Sequence, residues 1–124
     1  MIEGKDKLNN LFKALRKRKL IARQRFLCCG SCASSQISID LKEERNRDKV
    51  GGIYYHSQDA ERLEHGYVWL GFGPREGEHE YNEQGYRDVG MIVMEEAAKL
   101  DLPVVWNGSP GMRIKVIINK EGLK

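Results

Sequence analysis

Three cysteines fall within five residues of one another, in the segment Cys28-Cys29-Gly30-Ser31-Cys32. Cys29 and Cys32 have the C-x-x-C spacing, which lets two thiolates bind one metal ion or form a redox disulfide. A helix starting at Gly30 or Ser31 would stabilise a thiolate at Cys29 through its unpaired amide groups and its dipole. The segment therefore predicts reactive thiols, metal ligands, or cysteines that pack in the core.

A structural zinc site takes four ligands, and the chain has no second C-x-x-C pair. The predicted metal set is Cys28, Cys29, Cys32 and His56, with Asp59, His65 and His79 as further candidates. The sequence leads us to expect no cofactor, and zinc is the one that this set could hold. An odd number of clustered cysteines does not form a disulfide framework, which favours a reducing compartment.

The second constellation is His56-Ser57-Gln58-Asp59, directly after a run rich in β-forming residues. A cysteine nucleophile needs a base and an orienting group, so Cys29, His56 and Asp59 form a candidate catalytic set. This interpretation requires the thiol and the imidazole to meet in the fold, which spacing does not show. The alternative is structural, with the histidine hydrogen-bonded at a strand end and Asp59 capping the next turn.

The third constellation is a tryptophan followed by a turn-forming segment and an arginine. Trp106 and Arg113 could hold a planar or anionic ligand by stacking and by a bidentate guanidinium grip. The candidate ligand-binding residues are Gln58, Trp106, Asn107, Ser109 and Arg113. The alternative is a core tryptophan that leads into a hairpin.

Hydrophobic periodicity predicts the elements that position these residues. Apolar residues at helical spacing indicate a helix over residues 3–18: Leu8, Leu11, Phe12 and Leu15. Further helices are predicted to begin near Gly30 and after Asp88, which can act as a cap, with a helical turn within residues 57–65. Strands are predicted over residues 20–27, 53–56, 67–72, 104–106 and 114–118, and a loop over residues 73–85.

Short connections favour antiparallel neighbours for the strand pair around Tyr55 and Trp69 and for the last two strands. In the final strand, Arg113 and Lys115 alternate with apolar residues, so one face of it should be wet. We predict one α+β domain, residues 1–124, in which about three helices pack on a mixed, largely antiparallel sheet of about five strands.

The net charge is +3, and basic residues are concentrated from Lys13 to Arg25, here called the basic stretch. Such a stretch can bind nucleic acid, or it can be the solvated face of a helix. No apolar run approaches the roughly 20 residues of a membrane span, and no secretory leader is evident. We therefore expect a cytoplasmic protein without membrane association.

The series of motifs resembles an uncharacterised bacterial family, a domain of unknown function. Its members are alike in an F-x-C-C-x-x-C segment, an H-x-Q-D segment and a W-[DN]-G-S segment ahead of an Arg-Ile strand. In this chain the motifs fall on Phe26, Cys28, Cys29, Cys32, His56, Gln58, Asp59, Trp106, Asn107, Gly108, Ser109, Arg113 and Ile114. The resemblance implies a bacterial intracellular protein and no particular activity.

Together these observations predict a non-catalytic module that binds a protein or a small ligand near the cysteine cluster. Two alternatives stay open. One is a cysteine-dependent enzyme built on Cys29, His56 and Asp59. The other is a zinc-stabilised domain that contacts nucleic acid through the basic stretch.

Overall fold

The computed structural model describes residues 5–26, 30–74, 83–109 and 112–119. In these segments the helices are α1 (Lys5–Lys17), α2 (Gly30–Leu41), α3 (Ser57–Ala60) and α4 (Glu83–Lys99). Turns of 3-10 helix cover Glu44–Asn46 and Glu61–His65. The strands are β1 (Leu20–Arg23), β2 (Gly51–Tyr54), β3 (Tyr67–Pro74), β4 (Val104–Val105) and β5 (Ile114–Ile117).

The five strands form one sheet in the order β1-β2-β3-β5-β4. Only β1 and β2 are parallel, and their connection contains α2, as a parallel crossover requires. The pairs β2–β3, β3–β5 and β4–β5 are antiparallel. The predicted α+β class, with a mixed and largely antiparallel sheet, is confirmed.

Helices lie on both faces of the sheet. A Cβ added to Gly51 would point at Val89 of α4, whereas one added to Gly52 would point at Ile37 of α2. Successive strand residues point to opposite faces, so α4 and α2 pack on opposite sides of β2. Each added Cβ would come within 3.0 Å of the facing side chain, so both positions need glycine for the helices to approach this closely.

The larger core lies on the α1 and α4 side of the sheet. The four apolar residues that predicted α1 are all fully buried, which confirms that helix and its inward face. They pack with buried residues of the strands and of α4, among them Ile53, Val68, Leu70, Val89, Val93, Ala97, Ile114 and Val116. A smaller cluster lies beneath α2 and consists of Ile21, Ile37 and Leu41, with Phe26 and Tyr54 against it.

Several element boundaries differ from the prediction. Strand β2 covers residues 51–54 rather than 53–56, and β3 runs on to Pro74, into the predicted loop. Helix α4 begins at Glu83, so the prediction that Asp88 caps it is wrong. The extra turn is supported by hydrogen bonds one turn apart, from Arg87 to Glu83 and from Gln84 to Asp88. Strand β1 ends before residue 27, because Arg25 takes a positive φ of 50° that no strand allows. Residues 75–82 of the predicted loop lie outside the described residues.

Three arginines of the basic stretch make contacts that hold the fold together. Arg16 Nε donates to the Ala22 carbonyl of strand β1 at 3.0 Å. Arg18 pairs with Glu96 of α4 at 2.9 Å, and Arg23 lies 3.1 Å from an oxygen of Asp40 in α2. Part of the predicted nucleic-acid surface therefore has structural partners, and the nucleic-acid interpretation stays a prediction.

Glu96 is a buried carboxylate of α4 that forms an ion pair with Arg18, just after the end of α1. The hydrogen bond from Arg18, and secondly that from Lys99, hold the pKa of Glu96 below its ordinary 4.5, against the opposing effect of burial. The ion pair therefore contributes stability above pH 4.5, and this contribution is lost as pH falls through the lowered pKa.

We expect the free energy of unfolding to fall more steeply between pH 5 and 3 in the wild type than in Glu96→Gln, measured by urea titration. Equal slopes would contradict this assignment.

Candidate functional site

His56 lies just beyond β2 and caps the short helix α3. Its Nδ1 accepts a hydrogen bond from the Asp59 backbone amide at 3.2 Å. The Asp59 carboxylate in turn accepts from the His56 backbone amide at 3.4 Å, which completes a reciprocal capping box. Both side chains are buried, with 8% and 6% of their residue surface exposed. The arrangement resembles the structural alternative, except that the histidine itself is the cap.

Asp59 is also the buried partner of Arg113, 54 positions further along the chain. The guanidinium contacts both carboxylate oxygens, with NH1 donating to Oδ1 at 3.3 Å and NH2 donating to Oδ2. NH2 also donates to the Trp69 carbonyl of β3 at 2.8 Å. Arg113 therefore joins α3 to the central sheet, and its charge is balanced by Asp59.

Both ring nitrogens of His56 are directed at Asp59. Nδ1 accepts the amide hydrogen bond of the cap, and Nε2 lies 3.1 Å from Asp59 Oδ2. A histidine that serves as base for a thiol must turn one nitrogen towards the sulfur. In the structure, both ring nitrogens of His56 contact Asp59 instead. The catalytic set nevertheless stays a prediction, because Cys29 lies outside the described residues.

Of the three cysteines, the structure describes Cys32, which is exposed on α2. Cys28 and Cys29 lie outside the described residues. Within the described segments there is no group of three or more histidine, cysteine and acidic side chains placed to hold a metal ion. The predicted zinc set therefore stays a prediction.

Over the described segments, no helix combines the length and the apolar character needed to cross a bilayer.

Trp106 and the residues after it form a self-contained turn. The indole Nε1 donates to the Ser109 carbonyl at 3.0 Å, and the Ser109 amide donates to Asn107 Oδ1 at 2.9 Å. Gly108 has a φ of 84°, a conformation that favours glycine. The ring packs edge-on to Phe72 with centroids 5.7 Å apart. Of the predicted ligand-binding residues, Trp106 and Asn107 are thus both hydrogen-bonded to Ser109. Gln58, by contrast, is exposed on α3.

Two clefts in the described part of the chain are small. One, of about 70 Å³, lies between α2 and the start of α4, with Gly52 and Gly73 in its floor and Tyr54 and Tyr86 in its walls. The other, of about 120 Å³, lies near Leu102 and the end of β5. Both are smaller than the cavity of roughly 150 Å³ that binds benzene in an engineered protein. A cleft of this size suits a single side chain better than a whole metabolite.

A row of side chains crosses β3, β5 and β4 on one face of the sheet. Trp69 is paired with Lys115, which is paired with Val105, so the three share that face. Tyr67 lies two residues before Trp69 and points the same way. Val105 is 54% exposed, and the other three are half-buried. We call Tyr67, Trp69, Lys115 and Val105 the open face.

The open face continues the side of the sheet that α2 covers. Gly71 follows on the same face of β3, and a Cβ there would meet the ring of Tyr54 at 2.5–2.9 Å. Tyr54 packs in turn against the cluster beneath α2. The open face therefore lies beyond the edge of α2, the helix that begins beside the cysteine cluster.

Lys115 lies over the aromatic rings of the open face. Its Nζ is 4.5 Å from the centroid of Tyr67 and 5.8 Å from that of Trp69, which is within cation–π range. Among the described residues, no carboxylate lies within ion-pairing distance of it. The sequence predicted a wet face on β5 but did not select these residues, because only the β3–β5 register brings Tyr67 and Trp69 beside Lys115.

Comparison with known proteins identifies the family. A family model described as a domain of unknown function, DUF6891, matches residues 3–120. The chain belongs to the DUF6891 family. Searches of the curated proteins and of the solved structures found no match for it.

In this DUF6891 chain, the capping role of His56 is directly testable. His56→Ala is expected to lower the free energy of unfolding by about 1 kcal/mol, because the Asp59 amide loses its acceptor. His56→Asn, which supplies another side-chain acceptor, should recover most of this loss. The measurement is chemical denaturation of the three proteins. If asparagine and alanine destabilise equally, the cap is not what His56 contributes.

Proposed function

We propose that this DUF6891 domain is a non-catalytic protein-binding module whose contact surface is the open face. The observation that carries the proposal is the open face itself. An exposed valine, two half-buried aromatic rings and one lysine lie side by side on three neighbouring strands. Aromatic residues with an adjoining apolar side chain are typical of the centres of protein interfaces.

Two further observations favour a protein over a small ligand. Within the described residues, the two clefts of about 70 and 120 Å³ are small for a metabolite. The polar residues with the most suggestive sequence patterns have structural partners, since His56 and Arg113 both bind Asp59. Trp106 and Ser109 likewise bind each other.

A selection experiment tests this proposal without a known partner. Random twelve-residue peptides displayed on phage are selected against the immobilised full chain, and the enriched peptides are then assayed singly. We expect their binding to be lost in Val105→Glu, which places a carboxylate on the open face. Met91→Glu is the matched control, because Met91 is 50% exposed on α4, across the sheet.

Each outcome of the selection either supports or contradicts the proposal. Enriched peptides that bind Met91→Glu as they bind the wild type, and that fail on Val105→Glu, support the proposal. No enrichment, or peptides that bind both variants equally, contradicts it. Thermal unfolding of both variants shows whether either substitution has disturbed the fold.

A further inference from the structure

We propose that the open face recognises an acidic segment of the partner protein, with a carboxylate bound at Lys115 and apolar side chains against Trp69 and Val105. This inference rests on the proposed function and deepens it, because it states the chemistry of the partner. The observation behind this inference is the positive charge of Lys115. Its ammonium group lies over two aromatic rings of the open face, and no described carboxylate lies beside it.

The lysine retains hydrogen-bonding capacity where it lies. An ammonium group has three N–H donors, and contact with ring faces uses the charge without supplying oxygen acceptors. Contacts with Tyr67 and Trp69 already restrict the Lys115 side chain in the free protein. The entropy cost of ordering this side chain on binding is therefore smaller than for a freely rotating lysine. A partner carboxylate would supply the missing acceptors and the opposite charge.

The neighbouring cation does not compete for this carboxylate. Arg113 is the residue two positions earlier on the chain, and its guanidinium is already bound to both oxygens of Asp59 and to a β3 carbonyl. Among the described residues, Lys115 is therefore a positive charge of the open face with no carboxylate paired to it. One charge surrounded by apolar surface fits an acidic residue with apolar neighbours.

The same geometry argues against a single-stranded nucleic acid on this face. Bases stack on aromatic rings whose faces are open, whereas Lys115 lies 4.5 Å above the ring of Tyr67. Nucleic acid binding also draws on several cations along the phosphate backbone. Here Arg113 is neutralised by Asp59, and in the described part of the chain Lys115 is the one cation on the open face.

The test uses defined probes with the full chain. The first is an eight-residue peptide of alternating glutamate and leucine, blocked at both ends, titrated into ¹⁵N-labelled protein and followed by NMR. The second peptide replaces glutamate with glutamine, and the third probe is an eight-nucleotide oligouridylate. We expect the acidic peptide to shift the Lys115 amide and the Trp69 indole signals, and to bind at least about fivefold more tightly than the glutamine peptide.

Variants assign the charge to one residue. Lys115→Gln should weaken the acidic peptide about fivefold, whereas Lys115→Arg, which keeps the charge, should stay within about twofold. Lys13→Gln is the matched control, because it removes the same charge from an exposed position on α1. Affinity for the acidic peptide should also fall as salt is raised from 50 to 300 mM.

Three results would overturn the inference. Equal affinity for the glutamate and glutamine peptides would show a purely apolar surface, and the protein-binding function would stand without it. No binding of the acidic peptide would also overturn the inference, while the phage selection judges the function separately. Oligouridylate binding tighter than the acidic peptide, with shifts at Trp69, would overturn both.

Discussion

Arg113→Met is expected to lower the free energy of unfolding by about 2 kcal/mol. Asp59 is a buried carboxylate, and Arg113 is the side chain that contacts both of its oxygens. Methionine keeps the length and most of the volume of the arginine but leaves the carboxylate without its counter-charge. The loss also releases the Trp69 carbonyl, so the contact between α3 and β3 should loosen.

Urea denaturation of the wild type and of two arginine variants measures this effect. Arg47→Met is the matched control, because Arg47 pairs with Glu44 on the surface, where both side chains are about 80% exposed. An exposed pair of this kind contributes at most about 1 kcal/mol. If Arg113→Met costs no more than Arg47→Met, the pairing of Arg113 with Asp59 is not a major source of stability.

Gly90→Ala is expected to destabilise the protein even though alanine is the better helix former. Gly90 lies within α4, where alanine should gain about 1 kcal/mol from helix propensity alone. A Cβ at this position, however, would lie within 2.7 Å of three carbons of the Trp106 ring. Overpacking of this severity costs roughly 1–3 kcal/mol, so the steric term should outweigh the propensity term.

A double substitution separates the two effects. In Trp106→Leu the ring is absent, and Gly90→Ala should then become neutral or stabilising by thermal denaturation. The change of sign between the two backgrounds is the expected result. If Gly90→Ala destabilises equally in both, the close approach of Trp106 does not explain the glycine.

Local patterns in the sequence predicted the elements well where a single face is buried. The helical spacing of Leu8, Leu11, Phe12 and Leu15 predicted α1, and all four are buried. The prediction was weaker where tertiary contacts extend an element. The first turn of α4 was assigned to a loop because residues 73–85 are rich in glycine and glutamate and contain a proline. Tyr86 nevertheless packs edge-on against Phe72, with centroids 5.8 Å apart.

The sequence singled out His56, Asp59 and Arg113 as candidates, but it did not predict how they contact one another. The sequence pointed to His56, Asp59 and Arg113, and the structure brings these three together. The sequence assigned Asp59 and Arg113 to different roles, because nothing in spacing reveals that residues 54 positions apart form a pair. The open face was missed for the same reason, since a wet strand face does not reveal which aromatic residues lie beside it.

The sequence by itself determined the alternation of β5 and the buried stripe of α1, because these depend on periods of two and 3.6 residues within one segment. It also determined that the cysteine cluster adjoins α2. Only the tertiary structure decided that β5 lies between β3 and β4, and this order places Lys115 beside Trp69. Strand order depends on the packing of distant segments, and periodicity within a segment carries no information about its neighbours.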